Sequence, residues 1–268
     1  MLADCHVHCH CSADSDTPPE AQVLSALEHG LDVLCLTDHV DMADRAGTIG
    51  PSVYDWTEIR RVNAELRKRF EGQIELPMGA ELGMAHLDLD MANRYVDGIP
   101  ELDFLIASQH HVSCRCGGID LWGYGFPVEQ MDTMLKDYFD DLLTVAKWGR
   151  FSVLGHMTLP VRYMLQRGLP MPDLTPYRDR TDAVLKCLSE SGLGLECNTV
   201  RGGSLRLPEG DILRRYRELG GEIITLGSDA HSPEFVGAGI REAQELLRQC
   251  GFRYVCTFRE RKPVFHKL

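Results

Sequence analysis

Short apolar runs alternate with amphipathic stretches along almost the whole chain, and a polar cluster follows nearly every apolar run; no other feature narrows the possible folds so far. The runs Asp32–Leu36, Phe104–Ala107, Ser152–Leu154, Leu193–Glu196 and Glu222–Leu226 read as buried parallel strands. They lack strict polar alternation, as expected where both faces of a sheet are covered. Helical spacing marks the stretches between them, among them Pro19–Glu28, Trp56–Phe70, Glu129–Lys147, Asp179–Ser191 and Pro208–Leu219. Gly30, Gly72, Gly149, Gly192 and Gly220 stand where left-handed helix caps belong. Repeated strand–helix units make either an open doubly wound sheet or a closed barrel, and composition does not separate the two. The polar clusters do. They follow Leu2, Leu36, Leu76, Ile106, Leu154, Leu195 and Leu226, and a site fed by so many strand ends is expected only where all those ends converge on one face. The expectation is an α/β barrel, and with no internal repeat, low-complexity tract or linker, residues 1–268 are expected to be a single domain.

The net charge is −12, from 40 acidic against 28 basic residues. That balance opposes long nucleic acids as partners, because phosphate backbones are bound by basic surfaces. It is compatible with a small phosphorylated substrate, since bound cations reverse the local field. The ten cysteines are scattered through a chain too large to need disulfide staples. The N-terminal stretch MLADCHVHCHC is not built like a signal peptide, and no apolar run approaches the ~20 residues of a membrane-spanning helix. A cytoplasmic protein with reduced thiols and no membrane partner is expected; the oligomeric state is not readable.

The chemistry begins at Asp4-Cys5-His6-Val7-His8. Alternation along a strand puts His6 and His8 on one side, where both imidazoles can reach one cation. An isolated pair of this kind is more often incidental. Here, however, Thr37-Asp38-His39, Gly79-Ala80-Glu81, Ser108-Gln109-His110, Gly155-His156 and Gly227-Ser228-Asp229-Ala230-His231 close five further strands. Six of the eleven histidines occupy such positions. Imidazoles and carboxylates without thiolates suit Zn, Mn or Fe. Six histidines with Glu81, Asp229 and Asp14 are too many for one ion, so two or three divalent ions are expected. Ions ~3.5–4 Å apart clamp both attacking and leaving oxygens, and a metal-held hydroxide is the nucleophile at neutral pH. Cys5, Cys9 and Cys11 alternate with the histidines and are expected to face away from the ions as packing residues; no second cysteine pair stands at zinc-ribbon spacing.

The ordered set HxH, TDH, GxE, a lone strand-end His, GH and GSDAH resembles the polymerase-and-histidinol-phosphatase (PHP) superfamily over most of the chain. The resemblance implies a distorted barrel of seven strands and helices, a (β/α)7 TIM-like barrel, with a trinuclear site. It implies that His6, His8, Glu81 and Asp229 hold one metal, that Glu81 bridges to a second held by His110 and His156, and that Asp14, His39 and His231 hold the third. Asp14 stands where some members have His, with Asp16 as the neighbouring alternative. The stretches Thr37-Asp38-His39-Val40-Asp41, Gly79-Ala80-Glu81-Leu82-Gly83, Ser108-Gln109-His110-His111-Val112, Val153-Leu154-Gly155-His156, Leu195-Glu196-Cys197-Asn198-Thr199 and Gly251-Phe252-Arg253-Tyr254 look like the histidinol-phosphatase branch. Where that branch usually continues with Ser-Gly after Asn-Thr, this chain reads Val200-Arg201-Gly202-Gly203.

The implied activity is a metal-dependent phosphomonoesterase, L-histidinol-phosphate phosphatase of histidine biosynthesis. The alternatives are a phosphodiesterase of the same superfamily acting on small nucleotides and a metal-free barrel with a regulatory role. Glu81, Asp229 and His231 are the candidate catalytic residues. Arg162 and Arg201 follow strand ends and suit phosphate oxygens, and His111 is a candidate for substrate contact or proton donation. Asp38 and Asp4 are expected to orient imidazoles. Trp122 is expected to pack in its loop.

Overall fold

The computed structural model describes residues 1–52, 54–99 and 101–268. Its ten strands are β1 (Ala3–Val7), β2 (Val33–Leu36), β3 (His39–Asp41), β4 (Gly79–Gly83), β5 (Phe104–Ser108), β6 (Val153–Leu154), β7 (Gly194–Asn198), β8 (Ile224–Gly227), β9 (Tyr254–Arg259) and β10 (Lys262–Lys267). The helices are α1 (Pro19–Glu28), α2 (Trp56–Arg69), α3 (Leu89–Gly98), α4 (Met131–Trp148), α5 (Leu159–Gln166), α6 (Arg178–Glu190), α7 (Gly210–Glu218) and α8 (Ile240–Gln249). The expected strands and helices are present with ends shifted by one or two residues, and the five expected glycine caps all have positive φ, between 67° and 91°.

β3 through β8 form one parallel sheet in sequential order, and β1 pairs in parallel with β2. β2 and β3 are two halves of one strand. Between them Thr37 donates its N–H to Val7 at 2.8 Å, and the Asp38 carbonyl accepts from Glu81 at 3.1 Å. Parallel bridges Val33↔Glu75 and Leu36↔Met78 carry the pairing on towards β4. The ring therefore has seven strands: β1, β2–β3, β4, β5, β6, β7 and β8. Its first and last members meet at the carboxyl end, where His8 N–H donates to Ala230 and Asp229 N–H to His6, both at 2.8 Å. This is a TIM-like α/β barrel, distorted because that seam is a short bridge (Val7↔Ala230) and not a full ladder.

The strands β1, β4, β5, β7 and β8 are buried along their whole length. Helices pack outside on Leu82, Leu105, Leu154, Leu195 and Leu226, while the amino half of the barrel interior holds Ala3, Cys5, Val33, Cys35, Ile106 and Val153. The antiparallel hairpin β9–β10 brings Phe258 onto Phe104, ring centroids 5.1 Å apart. Each large apolar side chain so enclosed contributes about 1.5–3 kcal/mol relative to exposure. Water is thus excluded from one end of the barrel, and the polar strand ends collect at the other. Among the described residues no helix is long and apolar enough to cross a membrane.

Candidate metal centre

Past a register irregularity in β1 between Asp4 and Val7, alternation turns His6 and His8 inward together, and both are fully buried. His6 points Nε2 at Glu81 Oε2, 3.3 Å away, and His8 points Nε2 at Asp229 Oδ1, also 3.3 Å away. The other ring nitrogens are occupied from behind. His6 Nδ1 donates to Glu196 Oε1 at 2.6 Å, and His8 Nδ1 to the Ser12 hydroxyl at 3.1 Å. These bonds select the tautomer that leaves Nε2 as a lone-pair donor. Glu81, from the end of β4, is buried at the centre. Its Oε1 lies 2.8 Å from His156 Nε2 and 3.2 Å from His110 Nε2, while Oε2 lies 3.0 Å from His39 Nδ1. His231 Nε2 and His39 Nε2 stand 3.2 and 3.6 Å from Asp14 Oδ2. All nine residues anticipated as ligands come together, including Asp14 and not its neighbour Asp16.

Four sets of ligand atoms in this cluster are close enough to share ions: His6 with His8 and Glu81, Glu81 with His110 and His156, His8 with His39 and His231, and His39 with Asp41 and His110. The fit of metals to these residues rests on atoms left without partners. His6 Nε2, His8 Nε2, His39 Nδ1 and Glu81 Oε2 are buried and make no hydrogen bond. Orphaning so many polar atoms in one pocket is costly unless something else binds them. A divalent cation between an imidazole nitrogen and a carboxylate oxygen satisfies both.

The electrostatics agree. Burial disfavours charge on His6 and His110, yet the carboxylates beside them hold both pKa values well above the ordinary histidine range, and His39 is raised to about 9 against the same burial. Glu81 and Asp229 are buried too, and the surrounding imidazoles, with Arg162 beside Asp229, keep both well below the usual carboxylate range. His8, burdened by burial and by His39, is pushed down to about 3 and stays neutral. The pocket concentrates negative charge where it also presents imidazole lone pairs, which is an environment that attracts cations.

Above the cluster lies a cavity of about 670 Å³, bordered by Arg162, Arg201, His111, Tyr163, Asp120 and Trp122 among others. Arg162, on α5, donates Nη1 to Asp229 Oδ2 at 2.6 Å. Arg201 has φ +55° in the loop after β7; its Nε donates to the Asp229 carbonyl at 3.2 Å and its Nη2 lies 3.1 Å from His231 Nδ1. With an ion between His231 Nε2 and Asp14, Nδ1 would carry the proton and donate to the Asp229 carbonyl at 2.9 Å, leaving that Arg201 nitrogen free for another acceptor. Asp229 itself has φ +58°, strained for a residue with a Cβ, and its N–H bond to β1 holds it there. His111 is buried, borders the cavity, and is kept below its ordinary pKa by burial and by His110.

Four expectations change. Asp4 touches no imidazole ring: it accepts from Ser228 N–H, Ser228 Oγ and Gly237 N–H, and so ties β1 to β8 and the loop beyond. Asp38 reaches an imidazole only through Ser12, whose hydroxyl donates to Asp38 Oδ1 at 2.9 Å. Trp122 is 64% exposed at the cavity rim instead of packed. Of the three early thiols, Cys5 is a packing residue, whereas Cys9 donates its thiol to Asp38 Oδ2 at 3.0 Å.

Two functional carboxylates escaped the sequence reading. Glu196 on β7 reaches across β8 to His6 and also accepts the His156 N–H at 2.7 Å. Gly227 makes this possible, because a Cβ there would lie 2.3 Å from His6 Cβ and 2.4 Å from Glu196 Oε1. Asp41 stands 3.4 Å from His110 Nδ1. The available signal was a glutamate inside a buried strand, which is rare without a partner.

Residues 4–200 match the PHP domain. The histidinol-phosphatase of Lactococcus lactis subsp. lactis is 28% identical over 271 residues, covering 95% of this chain and 93% of that protein. A probable histidinol-phosphatase of Thermotoga maritima is 26% identical, with 96% and 95% covered. A crystal structure of histidinol phosphate phosphatase from Lactococcus lactis, complexed with zinc, L-histidinol and phosphate, superimposes with a TM-score of 0.82 at 27% identity over 98% of each chain. These full-length likenesses extend past residue 200 to Asp229 and His231. With its strand-end ligands in place and about three quarters of its length matched, the chain belongs to the PHP domain family.

Proposed function

We propose that this chain is a metal-dependent phosphomonoesterase whose substrate is L-histidinol phosphate. The observation that carries the reading is the convergence of partnerless imidazole and carboxylate atoms beneath a cavity edged by three arginines, Arg45, Arg162 and Arg201. The similar Lactococcus protein, which holds zinc, histidinol and phosphate, supports the substrate.

His6, His8, Glu81 and Asp229 would hold one ion, Glu81, His110 and His156 a second, and Asp14, His39 and His231 a third. Zinc, manganese and iron all suit the donors. When bound, such ions supply Lewis acidity and a nucleophile at neutral pH. The protein does the rest. Arg162 and the freed Nη2 of Arg201 bind the non-bridging phosphate oxygens and stabilise their growing charge. Asp229 both orients Arg162 and faces His8, which couples phosphate position to the ion cluster. Glu81 and His231 complete the reacting centre. His111, neutral and at the cavity wall, is placed to hydrogen-bond the leaving alkoxide.

The chain works as one domain on a small phosphorylated molecule, and its acidity opposes long nucleic acid. Ten free thiols support a reducing, cytoplasmic setting. The deciding assay is phosphate release from histidinol phosphate after loading with manganese or zinc. Turnover of aryl phosphates with none of histidinol phosphate would sink the substrate and leave the reaction class standing; turnover of diesters alone would sink both.

A further inference from the structure

Beside the imidazole cluster, and sharing Cys11 with the cavity above it, lies a second group of ligand-type atoms. The chain leaves β1 through Cys9-His10-Cys11, and the sulfurs of Cys9 and Cys11 lie with an Asp38 carboxylate oxygen all within 4.8 Å of one another. Cys9 Sγ is 3.0 Å from Asp38 Oδ2, and His10 Nδ1 is 3.9 Å from Cys11 Sγ. A cavity of about 20 Å³ borders Cys9, Cys11, Asp38 and Tyr54, which is room for one water or one small ion.

Packing does not account for this arrangement. Cys5, four residues before Cys9, sits among Ala3, Val33, Cys35 and Phe104, as a packing thiol should. Cys9 is just as buried, yet its sulfur is turned to a carboxylate, and Cys11 is only partly buried. Two sulfurs and an oxygen meet at one point, with an imidazole on the residue between the thiols.

We infer that Cys9, Cys11 and Asp38, with His10 as a fourth donor, form a binding site for one thiophilic cation of the zinc, cadmium or copper(I) class. This goes beyond the phosphatase reading and does not depend on it. The donors differ in kind from those of the imidazole cluster: thiolates select softer ions than imidazole and carboxylate do. Binding is a ligand exchange with no change of oxidation state. The two S–H bonds break, their protons go to solvent, and two metal–sulfur bonds of about 2.3 Å form. Asp38 Oδ2, relieved of the Cys9 proton, supplies oxygen. Asp38 Oδ1 keeps the Cys9 N–H at 2.6 Å and the Ser12 hydroxyl, whose oxygen meets His8 Nδ1. An ion here is therefore two hydrogen bonds from a residue of the main cluster, and its occupancy bears on how His8 is aimed.

The test is cadmium titration of the full-length, manganese-loaded protein, read by the ultraviolet thiolate-to-cadmium charge-transfer band. Cadmium that replaces manganese on imidazole and carboxylate gives no such band, so the signal reports the thiols alone. The band should saturate at one cadmium per chain, be lost in Cys11→Ser and in Cys9→Ser, and persist in Cys114→Ser, which removes an exposed thiol elsewhere. Should Cys9→Ser not fold, Cys11→Ser decides, because Cys11 is partly exposed. No band in the reduced wild type, a band unchanged in Cys11→Ser, or a Cys9–Cys11 disulfide found by mass in protein kept under reductant would overturn the site. Phosphate release is scored separately: an inactive protein that gives the band sinks only the phosphatase reading.

Discussion

The floor and the rim of the imidazole cluster use the same residue types but are built differently. On the floor, His6, His8 and Glu81 are wholly inaccessible; His6 and Glu81 lie in β1 and β4, His8 directly follows β1, and His6 is locked by a carboxylate from β7. At the rim, the side chains of Asp14, His39 and His231 are 29%, 20% and 14% exposed; His39 opens β3, but Asp14 and His231 hang on the loops after β1 and β8. Strand-borne ligands are placed by the barrel before any ion arrives, so binding there costs little ordering. Loop-borne ligands keep more freedom and lose it on binding. The floor should therefore hold its ions tightly and the rim loosely.

The harshest way to break this contrast is Glu81→Gln, which removes the carboxylate that faces five imidazoles, those of His6, His8, His39, His110 and His156. It should strip the floor of metal by elemental analysis. Activity should fall by more than the roughly 10²–10³-fold that losing one oxyanion donor costs. A variant that kept both metal and turnover would refute the shared-carboxylate account. The arginines inherit the same difference, since Arg162 is rooted on Asp229 and Arg201 beside His231. Arg162→Ala should lower kcat/KM by roughly 100-fold and Arg201→Ala by roughly tenfold, as expected for losing a charged phosphate donor held firmly or loosely. Equal losses would mean the arginines do not follow the ligands that anchor them.

Glu196→Gln sharpens the comparison from behind, because it keeps the shape and weakens the bonds to the His6 ring and the His156 N–H. Floor metal affinity, measured by competition with a chelator, should fall about 10–100-fold while rim affinity holds. Asp14→Asn should do the reverse: one ion fewer per chain, floor ions retained, and activity down by about tenfold, the lower end for a weakened metal environment. The gentlest probe is pH. An imidazole must shed its proton to bind metal, so His6 and His110 on the floor and His39 at the rim, all held above the ordinary histidine range by their carboxylates, meet proton competition in the neutral range. As pH falls from 8 to 5 both floor and rim should bind more weakly, and the loosely held rim ion should leave first; simultaneous loss would erase the distinction.

The residues chosen from the sequence were those whose position is announced locally. His39, Glu81, His110, His156 and Asp229 each follow an apolar run directly, and a strand end in a barrel has only one face to project from. Partners were harder to assign than ligands. Asp38 and Asp4 are expected from the sequence to orient imidazoles, but their targets depend on how the loops after β1 and β8 fold, which no spacing states. Trp122 looked like a packing residue because large aromatics generally are. Its loop carries it instead to the cavity rim, where Arg45 lies 5.9 Å from its ring.

What the sequence determined by itself is the order of strands and helices, the inward pairing of His6 and His8 by period-two alternation, and which imidazoles and carboxylates gather at the strand ends. These follow from local rules that act within a few residues. Only the tertiary structure decided that Glu196, 190 residues from His6, would hold its ring, that Gly227 would leave the gap between them, and that two thiols would meet Asp38. The physical reason is that such meetings depend on which strands lie side by side around the ring and how closely they approach, and those distances are set by packing the whole barrel.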